Sequence, residues 1–382
     1  MITLNQESHD AHQIFHTADV HLGMKFTRGY DPAVQESLIE ARYQTLGSML
    51  KMANERTCDL FVVAGDLFNS LGVSRRDILR AADILKRFEG KLILILPGNH
   101  DYIQSDEDNL WTKFRDAMSE HTLLLRESKP YDLKPHEMNV TLYPAPCRAK
   151  HSKTNGIAWI RERPKDPDAR FHIGVAHGSL EGLSPDFNED YYPMSEQELR
   201  AAGMDLWLLG HTHIRYPDIE SGTGARIFFP STPEPDGFDC THPGYAWFIE
   251  LNEDKSVHYQ SIETGSYRFL TLEKELRHDN DVEALKTYFS KSDHHKHLVK
   301  LRLKGRLPGN IHEELAVLLK ELQDSVFHLE PDLSELFREI TLEDIDREFT
   351  EGSFPHRLLR KLALEQKNPN SLQMAYELIR EK

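Results

Sequence analysis

At 382 residues the chain is too long for one ordinary core, and a prior of roughly 100 to 200 residues per domain implies two or three domains. A formal net charge of -16 argues against a protein that coats nucleic acid nonspecifically, because such binding needs clustered cations; an enzyme that grips one phosphate through metal ions stays open. No apolar run approaches the roughly 20 residues needed to span a bilayer, the first residues (MITLNQESHDAH) are polar and acidic, and Cys58, Cys147 and Cys240 form no CxxC pair, so no membrane association and a cytoplasmic location with reduced thiols are expected.

Residues 13 to 16 (QIFH) read as a short strand entering the loop TADVHLG. Asp31 as N-cap with Pro32 at the first helical position predicts a helix to about Asn54. Leu60 to Ala64 (LFVVA) is the continuous apolar run of a strand buried on both faces, and it leads straight into GDLF. Ser74 with Asp77 three residues on opens a second helix that stops near Gly90, and the strand Lys91 to Leu96 then ends in PGNHD. Leu123 to Leu125 and Val140 to Tyr143 read as further strands, and Lys150 to Arg170 as polar and loop-rich. Phe171 to Ala176 ends in His177-Gly178, a helix begins at Ser195 with Glu198 in the reciprocal capping position, and Asp205 to Leu209 ends in GHTH. This alternation argues for an α/β layer architecture.

After Arg226 the chain turns β-rich, with IFFP and YAWFIEL. From about Tyr267 it restarts as a smaller α+β unit: strand Phe269 to Leu272, helix Val282 to Phe289, strand Leu298 to Leu303, helix Ile311 to about Leu322. The segment from Glu335 onward reads as helical, and its last helix carries Leu372, Ala375, Tyr376 and Ile379 on one stripe, to pack on its own protein or on a partner helix. Two basic clusters, Arg75-Arg76 and Lys300, Arg302, Lys304 and Arg306, are either solvated faces or local contacts to DNA.

The chemistry lies in five motifs, each at the end of a strand: Asp19-Val20-His21, Gly65-Asp66, Gly98-Asn99-His100-Asp101, His177-Gly178 and Gly210-His211-Thr212-His213. Strand ends are where open α/β sheets place their sites. Alone, each is weak, since a strand-end histidine is usually structural and Gly-Asp usually a turn; five in succession point to one constellation. In D-x-H and H-x-H the ligands are two apart, so an extended backbone would send both side chains to the same side. Asp66 is the natural bridge between two ions, and Asn99 offers a neutral carbonyl oxygen. Two divalent ions less the carboxylates Asp19 and Asp66 leave an excess of roughly +2, which favours hydroxide and a phosphate ester. Imidazole and carboxylate without thiolate favours manganese, iron or zinc over calcium or magnesium. His100, beside a ligand but not required as one, is the candidate general acid.

Together the motifs resemble the calcineurin-like metallophosphoesterase superfamily, and the stretches IFHTADVHLG, VVAGDLF, LPGNHD, LLGHTH and FFPSTPEPDGF resemble its DNA repair nucleases of the Mre-eleven/SbcD type, YhaO-like branch included. The resemblance implies a four-layer α/β/β/α sandwich. It also implies Asp19, His21, Asp66 and His213 on one metal, Asp66, Asn99, His177 and His211 on the other, and His100 as the acid. It implies residues 1–12 as an N-terminal extension, 13–265 as the nuclease domain, 266–334 as a smaller α+β capping domain and 335–382 as a C-terminal helical partner-binding segment. DNA, an SbcC-type coiled-coil ATPase and a second copy of the chain are the implied partners. Asn69 stands where these nucleases commonly carry His; if it orients His100, its amide would do so without a charge, with Asp101 also in the outer sphere. Ser231 stands where the PGTPEP-like segment usually has Gly.

Hydrolysis of DNA phosphodiester bonds, as exonuclease or endonuclease, is therefore the expected function. A phosphodiesterase or phosphatase acting on a small nucleotide or other ester is the main alternative; the missing GDxVDRG and GNHE forms count against a protein phosphatase. An inactive scaffold of the same fold is the third.

Overall fold

The computed structural model describes residues 11–27, 29–104, 109–186, 190–291, 294–365 and 369–380. It divides into two compact units, with the break after Tyr267. The expected N-terminal extension lies almost wholly outside the described residues.

The first unit begins with β1 (His12–Thr17), α1 (Pro32–Glu55), β2 (Leu60–Ala64), α2 (Arg75–Leu85), β3 (Leu92–Leu96), α3 (Leu110–Ala117) and β4 (Thr122–Leu124). Then come β5 (Tyr131–Asp132), β6 (Val140–Ala145), α4 (Ala158–Arg161), β7 (Phe171–His177), α5 (Glu196–Ala201), β8 (Leu206–Gly210) and β9 (Arg215–Tyr216). The unit closes with β10 (Ser221–Thr223), β11 (Ile227–Pro230), β12 (Tyr245–Leu251) and β13 (Val257–Glu263). One sheet runs β10-β13-β12-β1-β2-β3-β4 and the other β5-β6-β7-β8-β11-β9. Strands β1 to β4 are mutually parallel, as are β6, β7, β8 and β11.

Strand β2 shows why both sheets are buried. Phe61 and Val63 pack with Leu46, Met49, Ile78 and Phe114 of the helices α1, α2 and α3, while Leu60 and Val62 join Leu94, Ile173, Val175, Leu208 and Trp247 between the sheets. Period-two alternation thus feeds two cores from one continuous apolar strand. A third core, with Tyr143, Ile160, Leu199 and Trp207, lies under α4 and α5. The order of layers is α/β/β/α, a mixed α/β fold as expected.

Local signals are realised at the helix starts. Asp31 accepts from the Ala33 and Val34 amides, Ser74 from Asp77, and Ser195 with Glu198 forms the reciprocal capping box. Sequence reasoning missed α3, whose eight residues are too few to display a period; its Asn109 cap and buried Leu110, Trp111 and Phe114 belong to the first core.

The second unit contains β14 (Arg268–Leu276), α6 (Asp279–Ser290), β15 (His297–Leu307), α7 (Gly309–Ser325) and β16 (His328–Arg338), then α8 (Leu342–Glu348), α9 (Phe354–Glu365) and α10 (Pro369–Arg380). The three strands are all parallel, and α6 and α7 pack Val282, Leu285, Phe289, Leu315 and Leu318 on one face against Val299, Leu301 and Leu303. The expected boundary between 334 and 335 falls inside β16, because residues 335–338 continue its pairing with β15 rather than starting a helix.

On the other face of this sheet the basic cluster of β15 meets acids on both sides. Lys300 pairs with Glu330 at 2.9 Å, Lys304 pairs with Glu273, and Arg302 stands in register between Glu273 and Asp332. Lys300, Arg302 and Lys304 thus form a neutralised ladder, while Arg306 lies over the Phe337 ring and reaches the Asn370 side-chain oxygen at 3.4 Å. The stripe of the last helix packs on its own unit: Leu372 and Tyr376 are buried with Ile345 and Leu359, and Ala375 and Ile379 lie against them. No helix among the described residues is long and apolar enough to cross a membrane.

Candidate metal centre

The five motifs meet at one edge of the two sheets, where β1, β2 and β3 end in one and β7 and β8 in the other. Two loops leave β1 and β2 together. The amides of Asp19, His21 and Leu22 donate to the carbonyls of Gly65 at 3.1 Å, Asp66 at 3.0 Å and Leu67 at 2.9 Å. Across the sheets, His177 Nδ1 donates to the Ala64 carbonyl at 2.9 Å, the His211 amide to Asp19 Oδ2 at 3.0 Å, and the Thr232 hydroxyl to the Asp19 carbonyl at 2.9 Å.

The expectation that D-x-H converges through an extended backbone is corrected here. Asp19 and His21 have φ of 55° and 50°, Asp66 53° and His211 99°, all in the region that L-residues avoid. Left-handed loop residues cost of order 1 to 3 kcal/mol each and persist only where the surroundings over-determine them. The stitched loops supply that constraint, and the backbone turn, not strand alternation, aims the ligands. Two glycines complete the packing: a Cβ on Gly65 would overlap the His177 ring, and one on Gly98 would overlap the Asp66 carboxylate.

Ligand atoms of Asp19, His21 and His213 form one compact group, those of Asp19, Asp66 and His177 a second, and those of His21, Asp66 and His100 a third. His21 Nε2 lies 4.0 Å from Asp19 Oδ1 and 3.9 Å from Asp66 Oδ2; His213 Nε2 lies 3.9 Å from Asp19 Oδ1. On the other side, His177 Nε2 is 2.9 Å and His211 Nδ1 3.2 Å from Asn99 Oδ1, with Asp66 Oδ2 3.3 Å from His177. The structure therefore brings together all seven residues expected as ligands, with His100 beside them. The donor set fits divalent cations on a direct observation: Asp19 Oδ1 is buried with no hydrogen-bond partner among the described residues. An unsatisfied buried carboxylate oxygen is costly unless a cation meets it.

Charge runs the same way. Burial pushes the Asp19 carboxyl up, against the pull of His177 and His213. Burial also pushes Asp66 up, but His177 and His21 outweigh it and hold Asp66 below the usual carboxylate range. His177 is pushed down by burial and up further by Asp66, to about 9. Such mutual perturbation of buried acids and imidazoles marks functional sites.

Outer groups hold the pocket. Asp101 accepts from the Gly98 amide at 2.7 Å and the Phe68 amide at 2.9 Å, joining the loops after β2 and β3; burial and the Asp66 charge push its carboxyl up to about 8. His100 donates its amide to Asp66 Oδ1 at 2.8 Å, and its ring Nδ1 meets the main-chain oxygen of Asn69 at 3.0 Å. The contact that orients His100 therefore comes from the backbone of residue 69, so the side chain at that position does not make it. Ser231 holds φ of 72° where Gly is usual, and its hydroxyl donates to the His213 carbonyl at 3.1 Å.

Sequence reasoning missed three residues: Arg42, Asp186 and Asp236. Fully buried Arg42 donates to the Val20 carbonyl at 2.8 Å and pairs with Asp236 at 3.4 Å. One signal was available, because Arg42 falls within the inward stripe Leu38, Arg42, Thr45 and Met49 of α1, where a charge needs a partner.

This fold and this pocket of clustered carboxylates and imidazoles are those of a phosphoesterase domain suited to divalent cations. The chain belongs to the calcineurin-like phosphoesterase family, whose model matches residues 12–215 and whose members use divalent metal ions. It is 26% identical over 255 residues to the "Uncharacterized metallophosphoesterase YhaO" of Bacillus subtilis, covering 64% of this chain and 59% of that one. To the "DNA double-strand break repair protein Mre11" of Methanopyrus kandleri it is 25% identical over 252 residues, covering 64% and 51%. The chain thus spans between half and three-fifths of the length of these relatives. Among solved structures, TT1561 of Thermus thermophilus is 11% identical with a TM-score of 0.37, covering 66% of this chain and 99% of that one.

Proposed function

We propose that the chain is a nuclease that hydrolyses the phosphodiester backbone of DNA with two divalent ions, manganese foremost and iron or zinc as alternatives. The observation that carries the reading is the convergence of Asp19, His21, Asp66, Asn99, His177, His211 and His213 on one pocket, with half-buried His100 and His213, 37% exposed, at its mouth. The similarity to a relative named for DNA double-strand break repair supports the choice of substrate. Bound ions in such a site neutralise phosphoryl oxygens and lower the pKa of a water between them. The chain's own part is to fix that geometry and, through His100, to hand a proton to the leaving oxygen.

The reading includes a cytoplasmic homodimer and an SbcC-type coiled-coil ATPase docked on the C-terminal helices. Exposed Phe354 and Leu364 on α9 and Met374 and Leu378 on α10 support that contact. The test of the substrate is cleavage of linear single- and double-stranded DNA and of a chromogenic bis-aryl phosphodiester, each with manganese. Cleavage of the small ester alone would move the assignment to a small phosphodiester, a second reading favoured by the neutralised cations of β15. The test of the partner is co-purification of the ATPase with the full chain and with a chain ending after Glu339, beyond β16; equal recovery would remove the contact.

A further inference from the structure

The two histidines of the GHTH turn face the pocket through different ring nitrogens. His211 turns Nδ1 inward, 3.2 Å from the Asn99 amide oxygen, and Nε2 outward onto Asp186 Oδ2 at 3.0 Å. His213 does the reverse, with Nε2 3.9 Å from Asp19 Oδ1 and Nδ1 3.9 Å from Asp236 Oδ2. A neutral imidazole has one proton, so it can offer a lone pair to a cation only from the other nitrogen. Two residues apart on one turn, the rings thus turn opposite nitrogens toward the pocket and opposite nitrogens toward an outer carboxylate.

We propose that Asp186 and Asp236 are positioning residues that aim His211 Nδ1 and His213 Nε2 into the metal pocket, Asp186 by a hydrogen bond to His211 Nε2 and Asp236 through its charge beside His213 Nδ1. The proposal rests on the metal-centre reading and adds to it what orients two of its ligands. An ionised carboxylate only accepts, so a hydrogen bond between Asp186 and His211 Nε2 requires the proton to sit on Nε2. The loop that carries Asp186 is tied to the same turn: the Ser184 hydroxyl bonds that of Thr212, between the two histidines, and also accepts from the Leu180 amide at 2.8 Å. Tyr191 lies against the His211 ring, 4.8 Å between centroids, and limits its rotation.

Asp236 is held from behind by Arg42 at 3.4 Å, whose other donor reaches the Val20 carbonyl at 2.8 Å between the ligands Asp19 and His21. Its 3.9 Å separation from His213 is too long for a hydrogen bond and acts through charge. Asp186 therefore has the larger effect. Outer partners of metal-binding histidines typically change metal affinity by about 10- to 100-fold when removed.

The test uses the full chain. Manganese titration by calorimetry compares the wild type with Asp186→Ala, Asp186→Asn and Asp236→Asn. Asp186→Ala is expected to bind manganese about 10- to 100-fold more weakly. Asp186→Asn keeps an accepting oxygen and is expected to retain most of the affinity, while Asp236→Asn shifts affinity less. Asp186→Ala with wild-type affinity, or Asp186→Asn as weak as Asp186→Ala, overturns the proposal. Should the alanine variant not fold, Asp186→Ser, too short to reach His211, takes its place. Failure of the wild type to take up manganese overturns the metal centre instead.

Discussion

His177 reaches from the end of β7 across to the other sheet and donates its Nδ1 proton to the Ala64 carbonyl at 2.9 Å, which leaves Nε2 facing Asp66 and Asn99. One main-chain carbonyl thereby orients a ring that faces the pocket and ties the two sheets at the site. The ring is also packed against Gly65, so neither sheet can shift without disturbing it.

Asp66 stands between the two groups of ligand atoms, within 3.9 Å of His21 and 3.3 Å of His177. Asp66→Ala is expected to bring phosphodiester hydrolysis below detection and to leave at most one ion per chain by elemental analysis. Retention of two ions would remove the bridging role.

His100 contributes a proton rather than a required ligand in this reading. His100→Ala should slow turnover by about 10² to 10⁴-fold while leaving metal content unchanged. Asn69→Ala should preserve both, because the backbone oxygen of residue 69, not its amide, meets the ring. Wild-type turnover in the His100 variant, or collapse of turnover in the Asn69 variant, would contradict the respective assignment.

A methyl group at residue 98 would collide with the Asp66 carboxylate and its amide. Gly98→Ala is expected to destabilise the protein by roughly 1 to 3 kcal/mol, as for overpacking in a close-packed interior, and to weaken metal uptake. Urea unfolding and manganese titration measure the two effects.

His16 is buried on β1, and burial pushes its imidazole down to about 3 against a smaller pull from the Leu209 backbone. The unfolded chain binds that proton near 6.5, and the folded one refuses it until about 3. Acidification between those values therefore favours unfolding, by roughly 1.4 kcal/mol per pH unit from this residue, while above 6.5 it contributes no pH dependence. His16→Leu should flatten the decline of unfolding free energy over that window; an unchanged slope would place the acid sensitivity elsewhere.

Burial raises the thiols of Cys58 and Cys240 to about 12 and that of Cys147 well above its ordinary value. At pH 8 the folded protein should react slowly with a disulfide reagent, and all three thiols, buried as free cysteines, should become reactive only on unfolding. A fast native-state equivalent would show an accessible thiolate.

The sequence by itself determined the strand-helix alternation of the first unit, the caps at Asp31, Ser74 and Ser195, and the residue types of the metal centre, since apolar period, capping oxygens and motif spacing are local properties that survive without a fold. It was blind to α3, which is too short to show a period, and to β16, where Pro331 and an alternating run of acids hide a strand that has only one buried face. Tertiary structure alone decided the positive-φ loops that aim Asp19, His21 and Asp66, the carboxylates of Asp186 and Asp236 behind the histidines, and the acids that neutralise the β15 cations. Those relations join residues up to about two hundred positions apart, such as Asp19 and His211, whose approach at 3.0 Å is set by the packing of two sheets and leaves no trace in either residue's neighbours along the chain.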